Sequence, residues 1–119
     1  MKTGNIIRDK SFDFAIKIIG LYKLLIENKE YVLSKQLLKS GTSIGANVEE
    51  SLAGQSKKDF IAKMSIASKE ARETRYWLKL LQKSQLVKGS YEKNLKEAED
   101  IINILTAIVK TSQLKPKKL

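Results

Sequence analysis

The chain has 119 residues, of which 42% are hydrophobic and 30% charged, a balance typical of one globular domain. It contains no cysteine and no histidine, which excludes disulfides, thiolate metal sites and the commonest general base. Lysine and arginine number 23 against 13 acidic residues, and the resulting net charge of +10 favours phosphate backbones, acidic proteins or anionic membranes as partners.

The first predicted helix, residues 11–28, is apolar on two faces. One face consists of Phe12, Ile16, Ile19 and Ile26. The second face consists of Phe14, Ile18, Leu21 and Leu25. One bundle core cannot easily cover both faces, so we expect the second face to be an interface between subunits. The alternative is a wide core face in a monomer.

The second predicted helix, residues 31–53, follows a polar break and has small residues at its centre. Gly41 and Gly45 lie within this central segment and cost helix propensity, although they allow a neighbouring helix to approach closely. We expect tertiary packing to compensate for this cost. The alternative interpretation of the segment is a loop.

The third and fourth predicted helices cover residues 57–83 and 90–113. Ser56 is the expected N-cap of the third helix, with Asp59 completing a capping box. Residues 114–119 form a basic tail. Four helical segments with short connections predict an all-α fold, a single antiparallel up-and-down four-helix bundle spanning residues 1–119.

Polar residues on the second and third helices suggest a structural cluster. We expect Asn47 and Glu50 to meet Glu73 or Arg75 and so to fix the register of the two helices, because buried polar groups need partners. A solvated charged face is the simpler alternative. Trp77 is predicted either in the core or in an interface, where aromatic residues are enriched.

Cations concentrate on the third helix, where eight of them face three acids between residues 57 and 83. Few exposed aromatic residues are interleaved with them, so any nucleic-acid binding is expected to be backbone-directed and steeply salt-dependent. The candidate nucleic-acid-binding residues are Lys35, Lys39, Lys57, Lys58, Lys63, Arg72, Arg75 and Lys79.

No catalytic template fits the sequence, and we expect neither an enzyme nor a bound cofactor or metal. The segment from Gly41 to Gly45 lacks the lysine and the spacing of a phosphate loop. No apolar stretch is long enough to cross a bilayer, and charged residues interrupt any signal-peptide core, so we expect a cytoplasmic protein without a membrane partner.

The run from Ser43 to Glu50 resembles the Ser-Ile-x-x-Asn-Ile-x-Glu signature of the four helix bundle proteins, also called the 23S rRNA intervening-sequence proteins. Further blocks of the same family are matched around Lys58 and between Lys69 and Leu78. The resemblance covers residues 12 to 111. One departure is Ser51, where the family usually carries glycine or alanine.

This resemblance implies an up-and-down four-helix bundle that assembles into a ring-like homopentamer. Some members of the family are encoded inside intervening sequences of 23S rRNA genes. Others are similar to the accessory variability protein of retroelements, which implies a reverse transcriptase partner and nucleic-acid binding.

Two functions follow as hypotheses. The first is a non-catalytic oligomeric adaptor whose basic surface binds RNA or DNA through the phosphate backbone. The second is a protein–protein interaction scaffold with no nucleic-acid role, in which the charge serves solubility or steering.

Overall fold

The computed structural model describes residues 5–54 and 56–114. Within these residues the chain forms four α-helices: α1 (Ile6–Glu27), α2 (Leu33–Leu52), α3 (Lys57–Ser84) and α4 (Glu92–Gln113). The predicted all-α four-helix bundle is therefore confirmed. Of the predicted basic tail, only Leu114 belongs to the described residues.

The helices run up and down. Each packs against its neighbours in sequence, and α1 also packs against α4, so the four helices close into one bundle. Arg8, near the start of α1, contacts Glu49 near the end of α2. Glu50 in turn contacts Lys63 near the start of α3. These contacts between opposite helix ends establish the antiparallel order.

Helix α1 begins at Ile6, five residues before the predicted start at Ser11. Ser11 does not cap the helix, because its hydroxyl donates to the carbonyl of Arg8 at 3.1 Å inside the first turns. The side chain of Ile7 is buried. The predicted boundary was wrong because the charged residues before Ser11 lie on the solvent side of a helix that has already begun.

Helix α2 begins at Leu33 rather than at residue 31, and its N-cap residue, Val32, makes no side-chain capping bond. The Glu30 side chain satisfies the helix start instead. The buried Glu30 carboxylate accepts hydrogen bonds from the backbone N–H groups of Leu33 at 2.9 Å and Ser34 at 2.6 Å. The Ser34 hydroxyl donates back to the Glu30 carbonyl at 2.7 Å. A residue predicted as part of a polar break therefore satisfies the free N–H groups of the helix start.

The small-residue centre of α2 is helical, as predicted, and it admits α1 at close range. A Cβ atom at Gly41 would lie 2.8 Å from Cγ2 of Ile18. Glycine therefore avoids a clash at this contact between the two helices. Since Ile18 is fully buried against this point, the small residue fixes which face of α1 enters the core.

The core contains a buried hydroxyl pair between α2 and α3. Oγ1 of Thr74 lies 2.9 Å from Oγ of Ser40 and 2.7 Å from the carbonyl oxygen of Glu70. Both side chains are buried, and every buried side-chain polar atom of the described residues has a partner. These hydroxyls, and not carboxylates, supply the polar contact inside this helix pair.

Helix α3 begins as predicted at residue 57. The Ser56 hydroxyl accepts a hydrogen bond from the backbone N–H of Asp59 at 3.0 Å. At its other end Gln85 adopts a left-handed conformation with φ 50° and closes the helix. The Gln82 carboxamide oxygen then accepts from the N–H of Tyr91 at 2.8 Å, which places the start of α4 at Glu92.

Candidate functional site

The two apolar faces of α1 are assigned by burial. Phe14, Ile18 and Leu25 are at most 2% exposed, and they lie in the bundle core. Leu21 is partly buried against the same core. The prediction that these residues form a subunit interface is wrong, because the close approach of α2 at Gly41 draws this face inward.

The face of α1 that remains in solvent carries Phe12, Ile16 and Ile19. Phe12 is 63% exposed and Ile16 is 55% exposed. With Thr42, Gly45 and Ala46 of α2 they line a groove of 320 Å³, here named the apolar groove. Arg8 and Glu49 form a salt bridge of 3.3 Å at its rim. An exposed apolar face is therefore present on α1, but it is the opposite face from the one predicted as an interface.

A second apolar surface lies on α3. Ile66 and Tyr76 are exposed, and Trp77 is partly buried against the core. The rings of Tyr76 and Trp77 meet edge to face, with centroids 5.1 Å apart. Trp77 Nε1 donates to Glu73 Oε2 at 3.1 Å, so the indole spans core and surface. Tyr76 and Trp77 are named the aromatic patch below, and the interface role of Trp77 stays a prediction.

The predicted polar cluster of Asn47, Glu50 and Glu73 does not form. Asn47 donates to the Ser43 carbonyl of its own helix at 2.9 Å. Glu50 forms a salt bridge of 2.8 Å with Lys63, while Glu73 accepts from Trp77. Each of the three side chains therefore has a partner outside the predicted cluster, on the same helix for Asn47 and Glu73 and on α3 for Glu50.

The predicted nucleic-acid-binding cations are spread along the bundle. Since α2 and α3 are antiparallel, Lys35 lies near the end of α3 that carries Lys79, whereas Lys57 and Lys58 lie at its other end. At 1.5 Å per residue, Lys57 and Lys79 are separated by about 33 Å along the helix. The eight candidates therefore do not form one cluster.

The candidates also differ in whether an acidic side chain lies next to them. Lys63 pairs with Glu50, and the hydrogen bond and charge of that carboxylate raise the pKa of Lys63. Lys39 lies close enough to Glu70 to lower the pKa of that carboxyl, although burial and Glu73 raise it overall. Among the described residues, the other α3 cations form no salt bridge.

Arg72, one of the candidate cations, lies in a groove between α3 and α4, here named the polar groove. Nη2 of Arg72 donates to Oγ1 of Thr106 on α4 at 3.1 Å. The groove has a volume of 270 Å³. Its lining consists of Ser65, Ser68, Arg72, Thr106, Val109, Lys110 and Gln113. No carboxylate belongs to this lining, so the charge inside the groove is positive.

Sequence reasoning identified Arg72 but none of its partners in the polar groove. Ser65, Ser68 and Thr106 are ordinary polar helix residues, and nothing in their spacing marks them as neighbours. The available signal was the helical register: Ser65, Ser68 and Arg72 recur at intervals of three and four and therefore share a face.

The described residues contain neither a membrane-spanning helix nor a metal-binding group. No helix among them combines the length and apolarity needed to cross a membrane. No group of three or more acidic side chains in residues 5–54 and 56–114 is arranged to hold a metal ion.

Comparison with known proteins places this bundle in a family. The sequence model of the 23S rRNA-intervening sequence proteins matches residues 4–107. A crystal structure of a protein of unknown function from the S23 ribosomal protein family of Bacteroides thetaiotaomicron VPI-5482 superposes with a TM-score of 0.83. The two sequences are 48% identical, over 88% of this chain and 99% of that one. No curated protein matches the sequence.

Proposed function

We propose that this chain, which belongs to the 23S rRNA-intervening sequence protein family, is a self-associating, non-catalytic adaptor that binds nucleic acid through the phosphate backbone. The observation that carries the proposal is the coexistence of an exposed apolar groove with cations that lack acidic partners among the described residues. The first feature suits a second copy of the chain, and the second suits a polyanion.

Self-association is supported by the composition of the apolar groove. Phe12 and Ile16 expose more than half of their surface beside the small residues Gly45 and Ala46. Contiguous exposed apolar patches of this kind mark interaction sites on folded proteins. Small residues on α2 leave room for a large side chain of another subunit to fill the groove.

The aromatic patch supports a head-to-tail arrangement. It lies on α3, on a different side of the bundle from the apolar groove, and it projects Tyr76 with 55% of its surface exposed. An interface that joins two different patches repeats from copy to copy and closes into a ring when the rotation allows. A pentameric ring, as the family resemblance implies, is one such closed assembly.

Nucleic-acid binding is supported by the charge. The net charge of +10 provides long-range attraction, and lysine and arginine on α3 are the groups that contact phosphates. Tyr76 is the one mostly exposed aromatic side chain of α3, so this helix offers no series of rings to stack successive bases, which favours contact with the backbone. The matching family is named after intervening sequences of 23S rRNA, which is in line with this class of partner.

A salt titration tests the binding. Fluorescence anisotropy of a labelled RNA strand and of a DNA duplex is measured with the purified protein at increasing salt concentrations. We expect binding at low salt, with the logarithm of the binding constant falling linearly as the logarithm of the salt concentration rises. No binding of either probe at low ionic strength would contradict the proposal.

A protein–protein scaffold is the second candidate, and the aromatic patch favours it. If Tyr76 and Trp77 bind a different protein, such as the reverse transcriptase that the resemblance implies, one partner should copurify in fixed stoichiometry. Nuclease treatment separates the two functions. A partner retained after nuclease treatment supports the scaffold, whereas a partner released by nuclease supports the nucleic-acid adaptor.

A further inference from the structure

The four junctions between neighbouring helices are not equivalent in charge. Among the described residues, a salt bridge crosses three of them: Arg8 to Glu49 between α1 and α2, Lys17 to Glu97 between α1 and α4, and Lys63 to Glu50 between α2 and α3. At the α3–α4 junction, Arg72 donates to the Thr106 hydroxyl instead. The positive charge at this junction therefore lacks a carboxylate in the described part of the chain.

The polar groove surrounds this charge with groups that bind an oxyanion. Arg72 has five N–H donors, and Thr106 takes one of them at 3.1 Å. This bond holds the guanidinium across the junction and leaves further donors for a ligand. Lys110 adds a second cation to the lining, and Ser65, Ser68 and Gln113 add neutral hydrogen-bond donors.

We propose that the polar groove is a phosphate-binding site in which Arg72 and Lys110 bind a phosphodiester of a nucleic-acid strand. Charge-assisted hydrogen bonds from arginine to phosphate are among the strongest that proteins make, because the planar guanidinium matches the oxygens of the anion. This inference rests on the proposed function and assigns the strand to one side of the bundle.

The size of the groove suits a phosphate group better than a drug-sized molecule. A volume of 270 Å³ is smaller than the usual range for small-molecule sites, about 300–1,000 Å³. Arg72, Thr106 and Lys110 are all exposed, so the site is open along one side and a strand can pass it. No aromatic side chain lines the groove to stack a base.

A neighbouring cation extends the site toward one end of the bundle. Lys57 Nζ lies 3.5 Å from the carbonyl oxygen of Leu114, which places its charge where α3 begins and α4 ends. The same half of the junction contains the polar groove. A strand that places one phosphate beside Arg72 would therefore meet a further cation beyond it.

Charge-matched substitutions test the site in the full-length protein. Arg72→Gln and Lys110→Gln each remove one positive charge from the groove, and Lys83→Gln removes one from an exposed position at the far end of α3. Affinity for a labelled RNA strand is measured for each variant at several salt concentrations. Circular dichroism and the melting temperature establish that the variants fold.

We expect Arg72→Gln to weaken strand binding about tenfold and to reduce the salt slope by about one. Lys110→Gln should weaken binding in the same direction, whereas Lys83→Gln should change it by no more than about twofold. Equal losses of RNA affinity in Arg72→Gln and Lys83→Gln would overturn the proposed phosphate site and would indicate only non-specific electrostatic attraction. Absence of strand binding by the unsubstituted protein would instead refute the proposed function.

Competition with inorganic phosphate at constant ionic strength identifies the source of the phosphate group. If the ligand is a strand, inorganic phosphate should displace the RNA weakly, because a free ion cannot use the neighbouring cations at the same time. Complete displacement at a low phosphate concentration would overturn the strand as ligand and identify the groove as a site for free phosphate.

Discussion

The α1–α2 side and the α3–α4 side of this bundle differ in the chemistry of their exposed side chains. The first exposes Phe12, Ile16 and Ile19 beside small residues, and its one charged pair is neutralised between Arg8 and Glu49. The second exposes hydroxyls around Arg72 and Lys110. Both grooves form where two antiparallel helices meet, so the difference lies in the side chains and not in the backbone. One bundle can therefore present an apolar surface to protein and a positive surface to phosphate.

The largest expected effect is a difference in unfolding free energy between substitutions in the two apolar stripes of α1. Ile18→Ala should lower the free energy of unfolding by about 2–5 kcal/mol, because Ile18 is fully buried and leaves a cavity. Ile16→Ala, the same change two residues earlier, should cost no more than about 0.5 kcal/mol in a dissociated chain, since Ile16 is mostly exposed. Urea denaturation at low protein concentration measures both. Equal losses would show that the stripes are assigned wrongly.

Helical periodicity in the sequence revealed both stripes but not which one is buried. Phe12 and Phe14 have similar neighbours and the same spacing to the next apolar residue. The buried stripe is the one that packs against the other helices, and Ile18 meets Gly41 there at a distance that leaves no room for a Cβ atom. Such a contact between distant residues has no signature in a local pattern, and the interface prediction failed for this reason.

A second matched pair tests that contact. Gly41→Ala should destabilise the bundle by about 1–3 kcal/mol, because its Cβ would lie 2.8 Å from Ile18 and force the helices apart. Gly45→Ala should be neutral or stabilise by up to about 1 kcal/mol, since its Cβ would meet Ser11 at 3.5 Å and alanine favours the helix. Thermal unfolding compares them. A neutral Gly41→Ala would indicate that α1 adapts to the larger residue.

The features that are local in the sequence were predicted well. The number of helices, the Ser56 cap and the helical state of the small-residue segment follow from spacing, capping chemistry and the shortage of proline. Contacts between side chains of different helices could not be predicted from the sequence. Asn47, Glu50 and Glu73 have partners other than one another, and the hydroxyls of Ser40 and Thr74 meet although the two residues lie 34 positions apart in the chain.

The smallest expected effect concerns a charge on the α2 side of α3. Burial, followed by the neighbouring Glu73, raises the pKa of Glu70 above its ordinary value. Folding therefore favours the protonated carboxyl, and this contribution to stability is lost as the pH rises through the raised pKa. Because the group is only partly buried, the effect should stay below about 0.5 kcal/mol.

Glu70→Gln tests this sign. The glutamine variant should melt slightly higher than the parent near neutral pH, where the parent carboxylate is charged, and no higher in acid, where the carboxyl is protonated. Differential scanning calorimetry at the two pH values measures both differences. A gain that persists unchanged in acid would assign the effect to something other than titration of Glu70.

Binding of a second copy of the chain by the exposed face of α1 can be tested through the molar mass in solution. Light scattering coupled to size exclusion is applied to the parent and to Ile16→Asp, which places a charge in the apolar groove without touching the core. We expect a parent mass of several chains and a folded, monomeric variant. A parent with the mass of one chain, or an Ile16→Asp variant that keeps the parent mass, would contradict it.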